Sequence, residues 1–483
     1  MENGPGKAPA LKAETIGTGG NWILSVADVA PSASIAFTLG LLIAATGVTS
    51  PFVVIIIGIA MFLVALGYSQ LNRWRPATGA PFIWIMDAVT PAAGMVMGLL
   101  MIIASLFSNI ANTTLAGGYL LSLASPNTTF PWWATWLVAS GLMVGLTVIA
   151  IVGLRPSVRF QLGFMIFEYA TILSFGVLAV VYELTSHTHG VTGPTWAALN
   201  PTSASNGLHG LVVAAIPCAF LFAGWEAPFY VGGESKDRHM SPGLAARIGV
   251  GFVLVLYAVL FIFLQGVAPK GQMVAHGTDI LTFTGSVLAG TGWGRLLSVA
   301  VLISVLAVMQ TLLIVGSRLV LGAVDRSLLP RPLGRISARF ETPHLATILM
   351  AAIPIVVLIP YLVSTTVANR IGEIVSAGGL LYLFMYFAVA GTSSWFSART
   401  QGREIPLQAR LAGLVPSAVG GLVMLAVFCY GLTTQSGVVA WSVAAVIVLS
   451  IIGGLFAWQH QRRGPGRTEA ATRPPARLRP GES

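Results

Sequence analysis

From Trp22 to Trp458 the chain is a succession of long apolar blocks separated by short polar or basic connections. The blocks are continuous rather than striped, so they do not read as amphipathic surface helices. A helix crosses the hydrocarbon core with roughly 20 mostly apolar residues. Twelve stretches reach that length. The first six are Trp22 to Thr46, Phe52 to Leu71, Ala92 to Leu123, Trp132 to Leu154, Val158 to Leu184 and Leu208 to Gly232. The others are Leu244 to Val267, Trp293 to Val324, Leu345 to Val363, Ile371 to Ala390, Leu411 to Tyr430 and Val438 to Trp458. The pattern predicts an all-α integral membrane protein with about 12 transmembrane helices. Its membrane domain is expected over residues 21–460, with a polar tail at residues 1–20 and a disordered basic tail at 461–483, rich in Arg, Pro and Gly.

Composition agrees. Of 483 residues, 55% are apolar and 9% charged, and the mean hydropathy is +0.83. A soluble chain of this length needs far more charge to cover its surface. The net charge of +10 raises the question of nucleic acid, but its placement answers it. If the amino terminus is cytoplasmic, all of the 26 Lys and Arg except Lys270, Arg295 and Arg370 fall on the cytoplasmic side. By the positive-inside rule both ends are expected in the cytoplasm, and no nucleic-acid partner is implied. The first 20 residues show no cleavable signal pattern, so the first span is expected to target the chain to the cell membrane. The basic tail reads as a solvated stop-transfer flank, with contact to anionic membrane lipid as the alternative. Cys218 and Cys429 both fall in predicted spans and imply neither a disulfide framework nor a metal site; no cofactor is implied. Asn127, Thr128 and Thr129 form a glycosylation sequon on a predicted outside loop.

Two spans are interrupted. In the first, Pro31 removes a helix hydrogen bond and clashes with the preceding turn; Asp28 precedes it, and Ser32, Ala33, Ser34 and Ile35 follow. In the sixth, Gly224, Glu226 and Pro228 argue for a second break. Taken alone, either is also what an ordinary proline kink looks like. Spans one and six, however, occupy matching positions in two five-helix halves. Inverted repeats of that kind place discontinuous helices at the bilayer midplane, around the substrate site. A half-helix amino terminus suits a substrate carboxylate, and exposed carbonyls at the opposite ends suit cations, including a substrate ammonium. An amino acid zwitterion matches both.

Asp28, Glu168 and Glu226 lie inside predicted spans, where a charged group costs roughly 2.5–3.5 kcal/mol to insert at the helix centre. A carboxyl in a poorly solvated site becomes easier to protonate, so it can exchange a proton in the physiological range and couple that exchange to substrate movement. The competing reading is a carboxyl that only hydrogen-bonds a neighbouring helix. Asp28 has two further readings, organising the backbone at the break or contacting a substrate amine. In the third span, Asn109, Asn112 and Thr113 repeat along one face beside Ser105, Ser108 and Thr114. That face can line a pathway or glue helices together. Tyr382 and Tyr386, one turn apart in the tenth span, read as core packing or interface anchors, with a gate as the alternative.

Several stretches resemble the amino acid–polyamine–organocation (APC) superfamily. Phe222 to Glu226, followed by Gly232, Gly233, Glu234, Ser235, Lys236 and Asp237, is similar to that family's sixth span and its exit. Arg75, Pro76, Gly79, Ala80, Thr90, Pro91 and Gly94 resemble its segment after span two. Gly316, Ser317 and Arg318, then Asp325 to Pro330 and Thr342–Pro343, carry the most specific match. The resemblance covers roughly Trp22 to Thr347. It implies a five-plus-five inverted repeat with broken helices 1 and 6, and secondary transport of amino acids or amines, often driven by a cation gradient. The family's broken-helix residues map onto Ser32, Ala33, Ser34 and Ile35, and onto Ala223, Gly224, Trp225 and Glu226. Glu168 falls where some relatives carry a lysine or acidic group that stands in for a bound sodium ion. One departure matters: the family's Gly-Ser-Gly at the first break is Ser32, Ala33, Ser34 here, which narrows the approach of a substrate carboxylate.

Together these readings lead us to expect a permease, not an enzyme, working by symport or exchange. The expected substrate contacts are Asp28, Ser32, Ala33, Ser34, Ile35, Asn109, Ala223, Gly224, Trp225 and Glu226, and Glu168 or Glu226 carries the coupling proton. Sodium is the rival coupling ion, with Ser304 and Thr311 as oxygen ligands in span eight. A non-transporting sensor in the same fold is the other alternative.

Overall fold

The computed structural model describes residues 11–125, 128–185, 195–264, 267–363, 371–399 and 407–463. The sequon's Asn127 and residues 464–483 of the basic tail lie outside the described residues. Helix fills all twelve expected stretches. α1 (Thr18–Val29) and α2 (Pro31–Thr46) share the first, α3 (Ser50–Trp74) fills the second, and a short α4 (Ala80–Ala88) precedes α5 (Pro91–Ala124). α6 (Trp132–Val152) and α7 (Leu154–Thr185) follow, then α8 (Gly207–Phe222) and α9 (Ala227–Tyr230) in the sixth stretch, and α10 (Ser241–Leu264) in the seventh. The short α11 (Lys270–Ala275) and α12 (Ile280–Ala289) lead into α13 (Thr291–Asp325). α14 (His344–Val363), α15 (Ile371–Ala398), α16 (Leu407–Thr434) and α17 (Gly437–Arg463) complete the bundle. α4, α11 and α12 were not expected, because 6 to 10 residues are too few to register as spans.

The helices sort by how much apolar surface they hide. The most apolar window of α13 is 83% buried, whereas that of α17 is 22% buried, so α13 is central and α17 peripheral. Leu137, Val144 and Val148 on α6, and Ile166 and Val177 on α7, are exposed. Such a surface is a liability in water and the expected one in lipid. Inside, α2 packs on α8, α3 on α10, α5 on α13 and α6 on α14. In every one of these pairs the partners are five stretches apart.

The first break is a single residue. Ala30 adopts the left-handed conformation (φ 47°, ψ 71°) between α1 and α2. A residue before proline is pushed out of the right-handed helical region, while Pro31 itself opens a helix well because its missing N–H has no partner to lose. Ser32, Ala33, Ser34 and Ile35, expected in unwound chain, therefore form the first turn of α2. The second break is wider. α8 ends at Phe222, Ala223 is extended (φ −60°, ψ 145°) and Gly224 has φ 110°, before Pro228 enters the short α9.

Candidate functional site

The two breaks touch. A Cβ on Gly224 would stand 2.6 Å from the Asp28 carbonyl carbon and 2.7 Å from its oxygen. Glycine is required there twice over, by contact and by backbone conformation. The Ser25 hydroxyl donates to the Trp225 carbonyl at 2.9 Å, which fastens α1 to the unwound segment.

Between them lies a small cavity of about 20 Å³. Asp28, Ser34, Ser108, Asn112 and Tyr382 supply its polar lining. Phe37, Phe220, Val308 and Leu312 form its apolar side. A second hollow shares Phe37, Asn112 and Phe220 and continues past Thr114 and Ile374, away from the face where α1 begins. That face, which bears the basic connections, is closed. Tyr68 packs on Trp84 and Trp225 at 5.7 and 4.9 Å, and Trp225 stacks on Tyr386 at 5.5 Å, all fully or nearly fully buried. Beyond this plug, Arg318 Nε donates to Glu234 Oε1 at 2.8 Å and Nη2 to Oε2 at 3.1 Å, with the two side chains 0% and 2% exposed. The Thr15 N–H donates to the Glu234 carbonyl and the Lys236 N–H to the Ile16 carbonyl, both at 2.7 Å, so the segment before α1 straps over the pair.

Each break carries a carboxyl group of the chain itself. Glu168 reaches from α7 to the start of α2, where its Oε1 accepts the Ser32 N–H at 2.9 Å and the Ser304 hydroxyl at 2.5 Å. Ser304 in turn accepts the Ala33 N–H at 3.1 Å. The unpaired N–H groups and partial positive charge of a helix amino terminus favour this placement. At the second break, Glu226 Oε2 accepts the Gly224 N–H at 3.1 Å and the Tyr386 hydroxyl at 2.8 Å.

Of the residues expected from the sequence, Asp28, Ala33, Ser34, Ala223 and Gly224 line the cavity. Ser32 is fully buried at the Glu168 contact, its hydroxyl without a partner among the described residues. Ile35 is in the apolar core. Trp225 and Glu226 sit behind the lining against Tyr386. Asn109 lies elsewhere: its Nδ2 donates to the Met350 carbonyl at 3.3 Å and holds α5 to α14. Ser108 and Asn112 are one turn apart and face the cavity, whereas Asn109 is about 100° around the helix from Ser108. Ser304 and Thr311 are not brought together, since Thr311 accepts from Gln161 Nε2 at 2.5 Å. Phe37 and Phe220 were not expected as lining; Ser108 and Asn112 lie on the third-span face read as pathway or helix packing, and Tyr382 was read as packing or an anchor, with a gate as the alternative. The four-residue spacing of Ser108 and Asn112 was the signal available.

Residues 22–392 match the family described as amino acid permease. A methylthioribose transporter of Bacillus subtilis (strain 168) is 24% identical over 319 residues, 62% of this chain and 65% of the relative. The branched-chain amino acid permease BcaP of the same organism is 22% identical over 329 residues, 64% of this chain and 66% of the relative. The low-affinity putrescine importer PlaP of Escherichia coli (strain K12) is 22% identical over 209 residues, 42% of this chain and 44% of the relative. The chain thus covers less than two thirds of each of these relatives. With the family match running from the first break through most of α15, the chain belongs to the amino acid permease family, whose members here are transporters and not enzymes.

Proposed function

We propose that the protein is a secondary permease that carries amino acids or related amines across the cell membrane, coupled to protons by symport or exchange. One observation carries the reading: a cavity between two broken helices that is plugged toward one face and continues toward the other. That is the form a carrier takes in one of its two access states. A five-plus-five inverted repeat accounts for the packing of four helices on the ones five stretches away. By the positive-inside rule the plugged, basic face is cytoplasmic. The relatives are named for methylthioribose, branched-chain amino acids and putrescine, all small solutes.

In this reading Asp28, Ser34 and the backbone of Ala223 and Gly224 hold the cargo. Glu168 is favoured over Glu226 as the coupling group, because it ties α7, α2 and α13 together at the break, and its protonation state bears on all three. Sodium is disfavoured by the separate engagements of Ser304 and Thr311. Purified protein in proteoliposomes, loaded with labelled amino acids and amines under imposed proton or sodium gradients, tests the proposal. Accumulation driven by a proton gradient is expected. Binding without flux would make the protein a sensor, and accumulation driven by sodium alone would reassign the coupling ion.

A further inference from the structure

We infer that the cargo is an organic amine that carries no carboxylate; the inference narrows the permease reading above and rests on it. A half-helix amino terminus receives a substrate carboxylate through N–H groups that have no other partner. At the start of α2 none is left. Pro31 has no N–H, Ser32 donates to Glu168 at 2.9 Å, Ala33 donates to Ser304 at 3.1 Å, and Ser34 donates to the Ala30 carbonyl at 2.9 Å. At the second break the Gly224 N–H is held by Glu226 at 3.1 Å. At the start of α2, Glu168 and Ser304 thus occupy the positions that a substrate carboxylate would take.

The cavity offers such a group no other counter-charge. Among the described residues no Lys, Arg or His lines it. The acidic residue of the described lining is Asp28, which is partly exposed and has no ion-pair partner among the described residues. Two polar neighbours offer acceptor oxygens. Ser34 spends its proton on the Val29 carbonyl at 2.7 Å, and Asn112 spends an amide proton on the Ser108 carbonyl at 2.9 Å, which leaves their oxygen lone pairs for a donor. The aromatic lining suits a cation as well: the Phe220 and Tyr382 rings meet edge to face at 6.3 Å, and ring faces attract ammonium groups. An ammonium therefore finds the Asp28 carboxyl group, acceptor oxygens and ring faces, while a carboxylate finds no cation among the described lining residues and the N–H groups at the start of α2 already engaged.

The test uses pairs that differ only by the carboxylate: 1,5-diaminopentane against L-lysine, and 3-methylbutylamine against L-leucine. Binding to the purified full-length protein in nanodiscs is measured by calorimetry, and counterflow of the same four compounds is measured in proteoliposomes. At least one amine is expected to bind tenfold or more tighter than its amino acid, and Asp28→Asn to weaken that amine tenfold or more while its melting temperature stays near that of the parent. Equal or tighter binding of both amino acids overturns the inference, as does an Asp28→Asn protein that keeps full amine affinity, or a parent that binds neither amine. The wild-type comparison stands even if Asp28→Asn fails to fold. Transport of the amino acids with the amines ignored sinks the inference and leaves the permease reading in place. An amine that binds tightly yet never moves has the opposite meaning.

Discussion

Gly224 faces the backbone carbonyl of Asp28 so closely that a Cβ on it would stand 2.7 Å from the carbonyl oxygen, too near for a side chain between the two interrupted helices. The contact joins the carboxylate-bearing end of α1 to the unwound link between α8 and α9.

Gly224→Ala is accordingly expected to reduce transport at least tenfold. The φ of 110° alone costs a side-chain-bearing residue of order 1–3 kcal/mol, and the new Cβ also meets backbone rather than a side chain that can yield. Gly118→Ala is the control, because a Cβ there meets nothing within 4 Å and alanine suits a helix better. Uptake and melting temperature are measured for both. Wild-type uptake by Gly224→Ala would show that the two breaks do not need to touch.

Glu168→Gln keeps the size of the side chain and an acceptor for the Ser32 N–H, but cannot release a proton. Gradient-driven accumulation should vanish while exchange of substrate for substrate continues. Ser304→Ala separates capping from coupling. It leaves the Ala33 N–H without its partner, a loss of about 1–3 kcal/mol, and should lower the melting temperature while proton-driven uptake persists. Full proton-driven accumulation by Glu168→Gln would move the coupling role to Glu226.

The opening of the cavity is testable by labelling. Thr114 lies on the far hollow and is partly exposed. In a background with Cys429, which is exposed, replaced by Ser, Thr114→Cys should react with a membrane-impermeant maleimide added from outside intact cells, and substrate should slow the reaction. Labelling only after the cells are opened would reverse the orientation.

The sequence showed the spans and the breaks because both are local. Twenty apolar residues in a row, or a proline within them, are visible without knowing any partner. The unwound residues were placed two positions too late in the first break, since Pro31 begins a helix as readily as it ends one. What the sequence concealed is everything joined across distance. Glu168 and Ser32 are 136 residues apart, and Glu226 and Tyr386 are 160 apart. Glu234 and Arg318 each stood in a recognisable motif, yet no periodicity announces that residues 84 positions apart share a buried ion pair.

That pair supplies the sharpest test of how the basic face is closed. Arg318 and Glu234 are almost wholly removed from solvent and joined by two hydrogen bonds. Removing one partner leaves the other charge buried and uncompensated, which typically destabilises by about 3–5 kcal/mol, whereas replacing both with apolar residues of similar volume is often neutral. Arg318→Met and Glu234→Leu should therefore each lower the melting temperature markedly in detergent, and the double variant should regain most of the loss. Transport separates the pair's two possible contributions. If the ion pair serves only stability, the double variant moves substrate at the wild-type rate. If it latches the closed face, the double variant leaves that face open more often, and an impermeant thiol reagent presented from the basic side reaches Val308→Cys in the cavity beneath the plug. A double variant as unstable as either single one would mean that the two charges act through other partners and not through each other.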